Sequence, residues 1–472
     1  MDQTWTFNFN RMGIRARPVQ NCLAGAILVV VLAGLTEEKL AQATSLNEAL
    51  VNAYLTNPDL EGERARARSN DEVVNQALSG YLPDVFLRGR LNSTTGQSST
   101  RDLDQSSASA SLTFTQNLYA GGNTRALVRQ AESLVQSDRS DLVAIEQNVF
   151  TGVVEAYTAV WRDRSVLDLA LNNQRRLQQQ LEATELRQEV GELARTDVEQ
   201  AKARLARGRA DVETARANLA ASRAQYVAVV GAEPGELQAP EVLESLPATL
   251  AEAQLIAERN PEIEAQIFDV DAQRHAIDAR YAGLLPSLDL NGSVALERRS
   301  SGNEDSLRTG TIGLDLAIPL YQGGRVRSEV RQQRQLLARE RSQLQTIERV
   351  VRREVDTSWG QLLAEGSARR SFETEIRANE VALEGVNAQE QQGLRTILDV
   401  LDAQQELFES QVNFVIARRD EVVASYRLKA AVGMLTIDGL ELEVEPYNPT
   451  AYAEQTRIRL FGLDELAEKI DF

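Results

Sequence analysis

Two stretches of this chain, residues 123–190 and 325–392, each run 68 residues without a proline, with apolar side chains at helical spacing. At 1.5 Å per residue, each is a rod of about 100 Å. No single globular core buries such a rod, so each must lie beside other long helices. The first rod's partner is legible. Beyond a turn at Gly191–Thr196, the residues Val198, Leu205, Val212, Leu219 and Tyr226 recur every seven positions, with Ala201, Gly208, Ala215 and Ser222 three further on. Large residues alternating with small ones let two helices approach closely. Arg204, Arg207, Arg209, Arg216 and Arg223 fall off this seam and read as solvated or as partners for neighbouring acids. Aromatic residues at 5% and only 11 prolines fit a chain made mostly of long helices.

Everything around the first rod recurs around the second. Leu118-Tyr-Ala-Gly-Gly122 returns 202 positions later as Leu320-Tyr-Gln-Gly-Gly324, so Gly121 and Gly122 correspond to Gly323 and Gly324. Asn57-Pro58 and Asn260-Pro261 break a helix in each half, Leu82-Pro83 matches Leu285-Pro286, and Gly231 and Gly433 close the halves. A period this long is not a solenoid repeat. It predicts one helix–hairpin–helix–helix unit used twice, over 44–230 and 250–433, joined by a proline-bearing linker, 231–249. The tail, 434–472, carries Pro446 and Pro449 and reads as irregular, acidic and peripheral.

Between the broken helices and the rods the period changes to two. Val85, Leu87, Gly89 and Leu91 alternate with Phe86, Arg88, Arg90 and Asn92; after a polar loop, Ser93–Ser107, Ala108, Ala110, Leu112 and Phe114 alternate with Ser109, Ser111, Thr113 and Thr115. In the second half Leu288, Leu290, Gly292, Val294 and Leu296 form one strand, the loop is Glu297–Arg308, and Ile312, Leu314, Leu316 and Ile318 form the next. Strands of about ten residues with one apolar and one polar face suit a transmembrane barrel. A half-buried soluble hairpin shows the same alternation. Four strands cannot close a barrel, and lipid does not tolerate an open edge, so transmembrane strands would require several copies.

Residues 1–43 read as an export signal: Arg11, Arg15 and Arg17 precede the apolar run Leu23–Leu35, and Ala41-Gln42-Ala43 offers a cleavage site. The only cysteine, Cys22, lies inside this segment, so the exported chain would hold itself together without disulfides. A net charge of −18, from 51 basic and 69 acidic residues with no long Lys/Arg run, argues against nucleic-acid binding.

The turn into the second return helix, Gly393-Leu-Arg-Thr-Ile-Leu-Asp-Val-Leu-Asp402, concentrates acids. Asp399 and Asp402 share one helix face. Thr396 and Asp399 also have capping-box spacing, so helix capping is the plainer role for Asp399. The counterpart, Gly191-Glu-Leu-Ala-Arg-Thr-Asp-Val198, keeps a glycine at Gly191 and an aspartate at Asp197.

The duplicated architecture, the two Leu-Tyr-x-Gly-Gly turns, Gly393–Asp402, Thr196-Asp-Val198 and Val444-Glu-Pro-Tyr-Asn-Pro449 together resemble the TolC family of outer-membrane channel-tunnels. The resemblance covers roughly residues 45–450. It implies a mainly α fold with a β-barrel part: a homotrimer with a 12-stranded barrel in outer-membrane lipid and a 12-helix tunnel of antiparallel coiled coils in the periplasm of a Gram-negative bacterium. The linker and tail would form a belt at mid-height. It further implies an exit duct for efflux pumps or type I protein secretion, working with a periplasmic adaptor (membrane fusion) protein and an inner-membrane pump. By position, Asp399 and Asp402 match an acidic constriction, while Arg395, Thr196 and Asp197 match residues that tie the return helices together in the closed state. A tyrosine often stands three before the turn glycine in that family; here the position is Glu390.

No enzyme chemistry competes. Beyond residue 43 the chain has one histidine, His275, and no cysteine, so a Cys/His nucleophile or zinc cluster within one chain is excluded, and no cofactor or metal is expected. An aspartate pair three apart at a helix start is poorly placed to flank a glycosidic bond. The alternative reading is an exported soluble coiled-coil scaffold or periplasmic adaptor.

Overall fold

The computed structural model describes residues 44–97, 102–300 and 304–457; the export-signal reading of 1–43 and the last fifteen residues of the tail lie outside them. The elements follow the order α1 (Leu46–Thr56), α2 (Pro58–Ser79), β1 (Asp84–Gln97), β2 (Asp102–Ala120), α3 (Asn123–Glu189) and α4 (Arg195–Val230). The same order then recurs as α5 (Leu250–Ile256), α6 (Pro261–Ala282), β3 (Ser287–Ser300), β4 (Glu304–Ala317), α7 (Arg325–Gln391) and α8 (Ile397–Ala431), followed by a short α9 (Ala451–Thr456).

Local chemistry sets these boundaries twice over. Asn57 ends α1 and caps α2, its side-chain oxygen accepting from the Asp59 N–H at 3.0 Å, with Pro58 at the first helical position. Asn260 does the same for α6, accepting from Glu262 at 2.9 Å. The amide of each asparagine also donates to the end of its return helix: Asn57 to the Val229 carbonyl at 3.1 Å, Asn260 to that of Ala431 at 3.0 Å. Gly122 and Gly324 have φ of 87° and 79°, a left-handed conformation that costs a side chain energy, and each opens a 67-residue helix. The buried side of α4 is Val198, Ala201, Leu205, Gly208, Val212, Ala215, Leu219, Ser222, Tyr226 and Val230, which contains every residue of the expected seven-residue seam.

The four strands form one antiparallel sheet in the order β1-β2-β3-β4. They run longer than their alternation suggested: the expected loops Ser93–Ser107 and Glu297–Arg308 belong mostly to strand, because Ser and Thr pair across a ladder as readily as apolar residues do. The register puts Leu87 opposite Leu112, Leu112 opposite Val294, and Leu290 opposite Leu314. One apolar face therefore crosses all four strands, with Leu87, Leu91, Ile312, Leu314 and Leu316 well exposed. The opposite face is hydrogen-bonded across the strands: Asn117 donates to Asp289 at 2.7 Å, Asn291 donates to Asp315, and the hydroxyls of Ser293 and Thr311 lie 2.7 Å apart.

The largest core lies near the middle of α3, where Phe150, Val153, Val154, Tyr157 and Val160 pack with Leu50 and Tyr54 of α1, Tyr226 of α4 and Val422 of α8. Each buried side chain of this size contributes about 2–3 kcal/mol. The tail is not peripheral at its start, because Leu435, Ile437 and Leu442 enter this core, where Leu237, Val242 and Leu243 of the linker also pack. Polar ties hold both segments: the Tyr157 hydroxyl lies 2.8 Å from the Thr44 carbonyl and 2.9 Å from that of Gln238, and Glu146 accepts from the Ile437 N–H at 3.1 Å.

Candidate functional site at the ends of the long hairpins

The α3–α4 and α7–α8 hairpins end in the same kind of turn. Gly191 and Gly393 have φ of 82° and 73°, and the N–H after each reaches back to close the last helical turn, Glu192 to the Arg187 carbonyl and Leu394 to that of Gln389, both at 2.9 Å. The two helix starts then differ. Thr396 and Asp399 form a reciprocal capping box: the Asp399 N–H donates to the Thr396 hydroxyl at 3.3 Å, and the Asp399 carboxylate accepts from the Thr396 N–H at 2.8 Å and its hydroxyl at 2.7 Å. In the first hairpin the equivalent cap is Ala194, which has no acceptor, so only one arm remains, from the Ala194 N–H to Asp197 at 3.1 Å. Thr196 is an exposed residue of the first turn of α4.

Asp399 therefore has the capping role, and it is still partly open to solvent. Hydrogen bonds from the backbone and hydroxyl of Thr396, with Arg395 3.6 Å away, hold its carboxyl below the usual carboxylate range. Asp402, one turn further along α8, is half exposed and ion-paired with Arg204 of α4. Among the described residues no hydrogen bond or ion pair joins Arg395 to Thr196 or Asp197. Arg395 instead reaches Gln389 at 3.3 Å and Asp399, both in its own hairpin.

The contacts that do join the hairpins at this end pair two singled-out acids, Glu390 and Asp402, with arginines that carry weak sequence signals. Arg187, at the end of α3, donates to Glu390 of α7 at 2.5 Å and also meets Glu192 in its own turn at 3.3 Å. These carboxylates, Glu390 foremost, hold the Arg187 guanidinium more firmly protonated than an isolated one. Glu390 thus fills the position expected to carry a tyrosine with a charged tie. The Arg204–Asp402 pair is the second tie. Both place the base on the first hairpin and the acid on the second, and the exposed faces continue that asymmetry: Arg207 and Arg209 follow on α4, Glu406 and Glu409 on α8. Arg204 stood out only as an arginine off the apolar seam, and nothing in the sequence singles out Arg187.

Below the turns the hairpins share a core in which Leu401 of α8 packs with Leu177, Leu181, Val198, Ala201 and Leu205 of α3 and α4. This end of the hairpins combines a modest apolar contact, two charge ties and a cluster of solvent-facing acids. Among the described residues no group of His, Cys, Asp and Glu is placed to hold a metal ion, and no helix is long and apolar enough to cross a membrane.

Comparison with known proteins matches residues 49–232 and 253–434 to the outer membrane efflux protein family. The outer membrane efflux protein BepC of Brucella suis biovar 1 is 33% identical over 445 residues, covering 93% of this chain and 96% of that protein. Outer membrane protein TolC of Escherichia coli is 28% identical over 430 residues, 86% of either chain. Among solved structures, CusC superposes with a TM-score of 0.73 at 17% identity over 84% of this chain and 95% of its own.

Proposed function

The chain belongs to the outer membrane efflux protein family, and from that premise we propose that it is a gated trimeric exit duct. In this reading three copies close their four-stranded sheets into a 12-stranded barrel in the outer membrane, and their long helices form a 12-helix tunnel in the periplasm. The internal repeat reflects a duplicated unit, with the linker 231–249 and the start of the tail at mid-height. The duct serves efflux of small molecules, type I secretion of proteins, or both, and its tunnel end docks with a periplasmic adaptor and an inner-membrane pump.

One observation carries the reading. A sheet with a continuous, exposed apolar face and two open edges is joined directly to helices of 67 residues. In water that face and those edges would aggregate; in lipid they require closure by further copies. A soluble scaffold or adaptor has no use for either feature.

The tunnel end supplies the gate. Threefold symmetry turns Asp399 and Asp402 into six carboxylates around one opening, which favours cations and leaves a site for a multivalent cation to neutralise. Within a chain Arg395 meets Gln389 and Asp399 rather than Thr196 or Asp197, and Asp197 accepts from the Ala194 N–H; in the closed state Arg395, Thr196 and Asp197 tie neighbouring copies. The test is single-channel recording in a planar bilayer. Cation-selective conductance, blocked by trivalent cations from the tunnel side, is expected, with selectivity and block weakened in Asp399→Ala/Asp402→Ala. Unchanged selectivity in that variant overturns the gate, and a folded monomer by light scattering in detergent overturns the duct.

A further inference from the structure

Where the two halves of the chain meet in the helical body, α3, α6, α7 and the end of α8 enclose a cavity of about 230 Å³. One water molecule in the liquid takes a share of only ~30 Å³. The wall is largely polar. Gln147 and Thr151 line it from α3, Glu262 from the first turn of α6, and Glu354 and Ser358 from α7. Arg427 of α8 also borders it, but its guanidinium is taken up by Glu155 at 2.5 and 3.1 Å.

Three of these groups have unmet demands. Among the described residues, neither Glu262 nor Glu354 has an ion pair or a side-chain hydrogen bond. Burial pushes the Glu262 carboxyl up, and repulsion from Glu354 and Asp141 pushes it further, so the local excess charge is negative. Gln147 is the sharper sign. It is only 5% exposed, and its carboxamide has no hydrogen-bond partner among the described residues. A buried amide left unmatched is costly. Packing does not demand this set. Glu262 lies at a helix N-terminus, where the helix dipole favours a carboxylate, and that role accounts for Glu262 alone. Glu354 and Ser358 lie within α7, and the internal repeat matches them, 202 positions earlier, with Gly152 and Ala156 of α3. A long helix is therefore built at the same level without either polar group.

We infer that this cavity binds a small organic cation bearing a primary ammonium group. An ammonium presents three N–H donors in need of acceptors. The two carboxylates and the Gln147 side-chain oxygen supply them. The Thr151 hydroxyl already donates to the Gln147 backbone carbonyl at 2.8 Å, which leaves its oxygen to accept. A short methylene chain would lie against Ala144 and Ala430, which are also on the wall. A divalent metal suits the site less, because it takes about six to eight oxygen ligands and the described residues place no metal-holding group of acids together. The cation would bridge α3 of the first half to α6 and α7 of the second, so its binding stabilises the folded chain. The site lies within one chain and apart from the tunnel end.

The test uses the full-length protein in detergent, in an Asp399→Ala/Asp402→Ala background so that those carboxylates do not bind the probe. Putrescine (1,4-diaminobutane) and butylamine are titrated by calorimetry and by thermal unfolding. Saturable binding of one amine per chain and a raised unfolding midpoint are expected. Neither should occur with 1,4-butanediol or with potassium chloride at equal ionic strength. Glu354→Gln is expected to weaken binding about tenfold or more, through loss of a charge-assisted hydrogen bond. Ser358→Leu, which fills the cavity from the same helix, should do likewise and serves if Glu354→Gln folds poorly. Glu384→Gln, exposed elsewhere on α7, should leave binding unchanged. Undiminished binding in both cavity variants places the cation elsewhere and overturns the site. An equal, saturable response to magnesium chloride overturns the ammonium class. A response that follows ionic strength alone, or none to either amine, overturns the inference as a whole.

Discussion

The charge tie between Arg187 and Glu390 offers the most decisive perturbation of the proposed gate. The pair is 2.5 Å long, with Glu390 only 13% and Arg187 38% exposed, so it is better shielded than a typical surface pair. Such a pair is worth about 1 kcal/mol, at the upper end of the range for partly exposed ion pairs. If three copies open together, Glu390→Gln removes about 3 kcal/mol from the closed state, raising the open population about 100-fold. The assay is single-channel conductance in a planar bilayer, paired with sensitivity of cells to antibiotics too large for the closed channel. Glu390→Gln is expected to raise both, and Arg187→Glu/Glu390→Arg to restore them towards the wild type, because the reversed pair keeps the attraction. The swap separates a tie from a merely structural side chain. Wild-type conductance in Glu390→Gln, or a swap that behaves like two independent losses, would refute the assignment.

Three further outcomes follow from other parts of the molecule. Leu314→Arg, on the exposed apolar face, is expected to cost assembly about 2–4 kcal/mol at mid-membrane while Asp315→Asn is tolerated, as read by trimer yield after outer-membrane insertion. Tyr157→Phe removes the hydroxyl lying between the Thr44 and Gln238 carbonyls, and is expected to cost about 1–2 kcal/mol and raise proteolysis of the 231–249 linker. In the body of the protein, burial pushes the Asp138, Asp141 and Asp269 carboxyls up, against the partial pull of Arg66 on the first two and a Ser137 hydrogen bond on the third, with Glu63 and Glu340 adding repulsion. A carboxyl raised in the folded state stabilises the fold below its unfolded value of about 3.9 and loses that contribution as pH rises through the folded value. Thermal stability is therefore expected to increase as pH falls from neutrality, and Asp141→Asn/Asp269→Asn to flatten that slope; Asp399, whose carboxyl is lowered, gives the opposite contribution, lost only at more acid pH.

The parts of this fold visible in the sequence are those where one local rule acts over many residues. The seven-residue seam on α4 is a single constraint, close approach of two helices, imposed at each turn from Val198 to Tyr226, and every seam residue is buried. The alternation in the strands is likewise a repeated rule: it assigns each side chain to one of two faces, and the sheet keeps those faces, with Leu87, Leu112, Val294 and Gly310 aligned on one of them. What escaped is whatever depends on a single contact between distant elements. The strand ends were hidden because serine and threonine do not declare whether they pair. The tail reads as peripheral because Leu435, Ile437 and Leu442 are too few to make a pattern, yet each finds a place in the largest core. The hairpin ends show the limit most clearly. Thr396 and Asp399 lie three apart and satisfy each other, so spacing alone suggests their capping role. Arg187 and Glu390 are 203 residues apart and occupy non-equivalent places in the two halves, so not even the internal repeat marks them as a pair. An asymmetric charge pair between repeats is what a chain needs if its two hairpins are to bind each other in one arrangement rather than either of two. That requirement is met by differences between the repeats, and a reading built on their likeness passes over it.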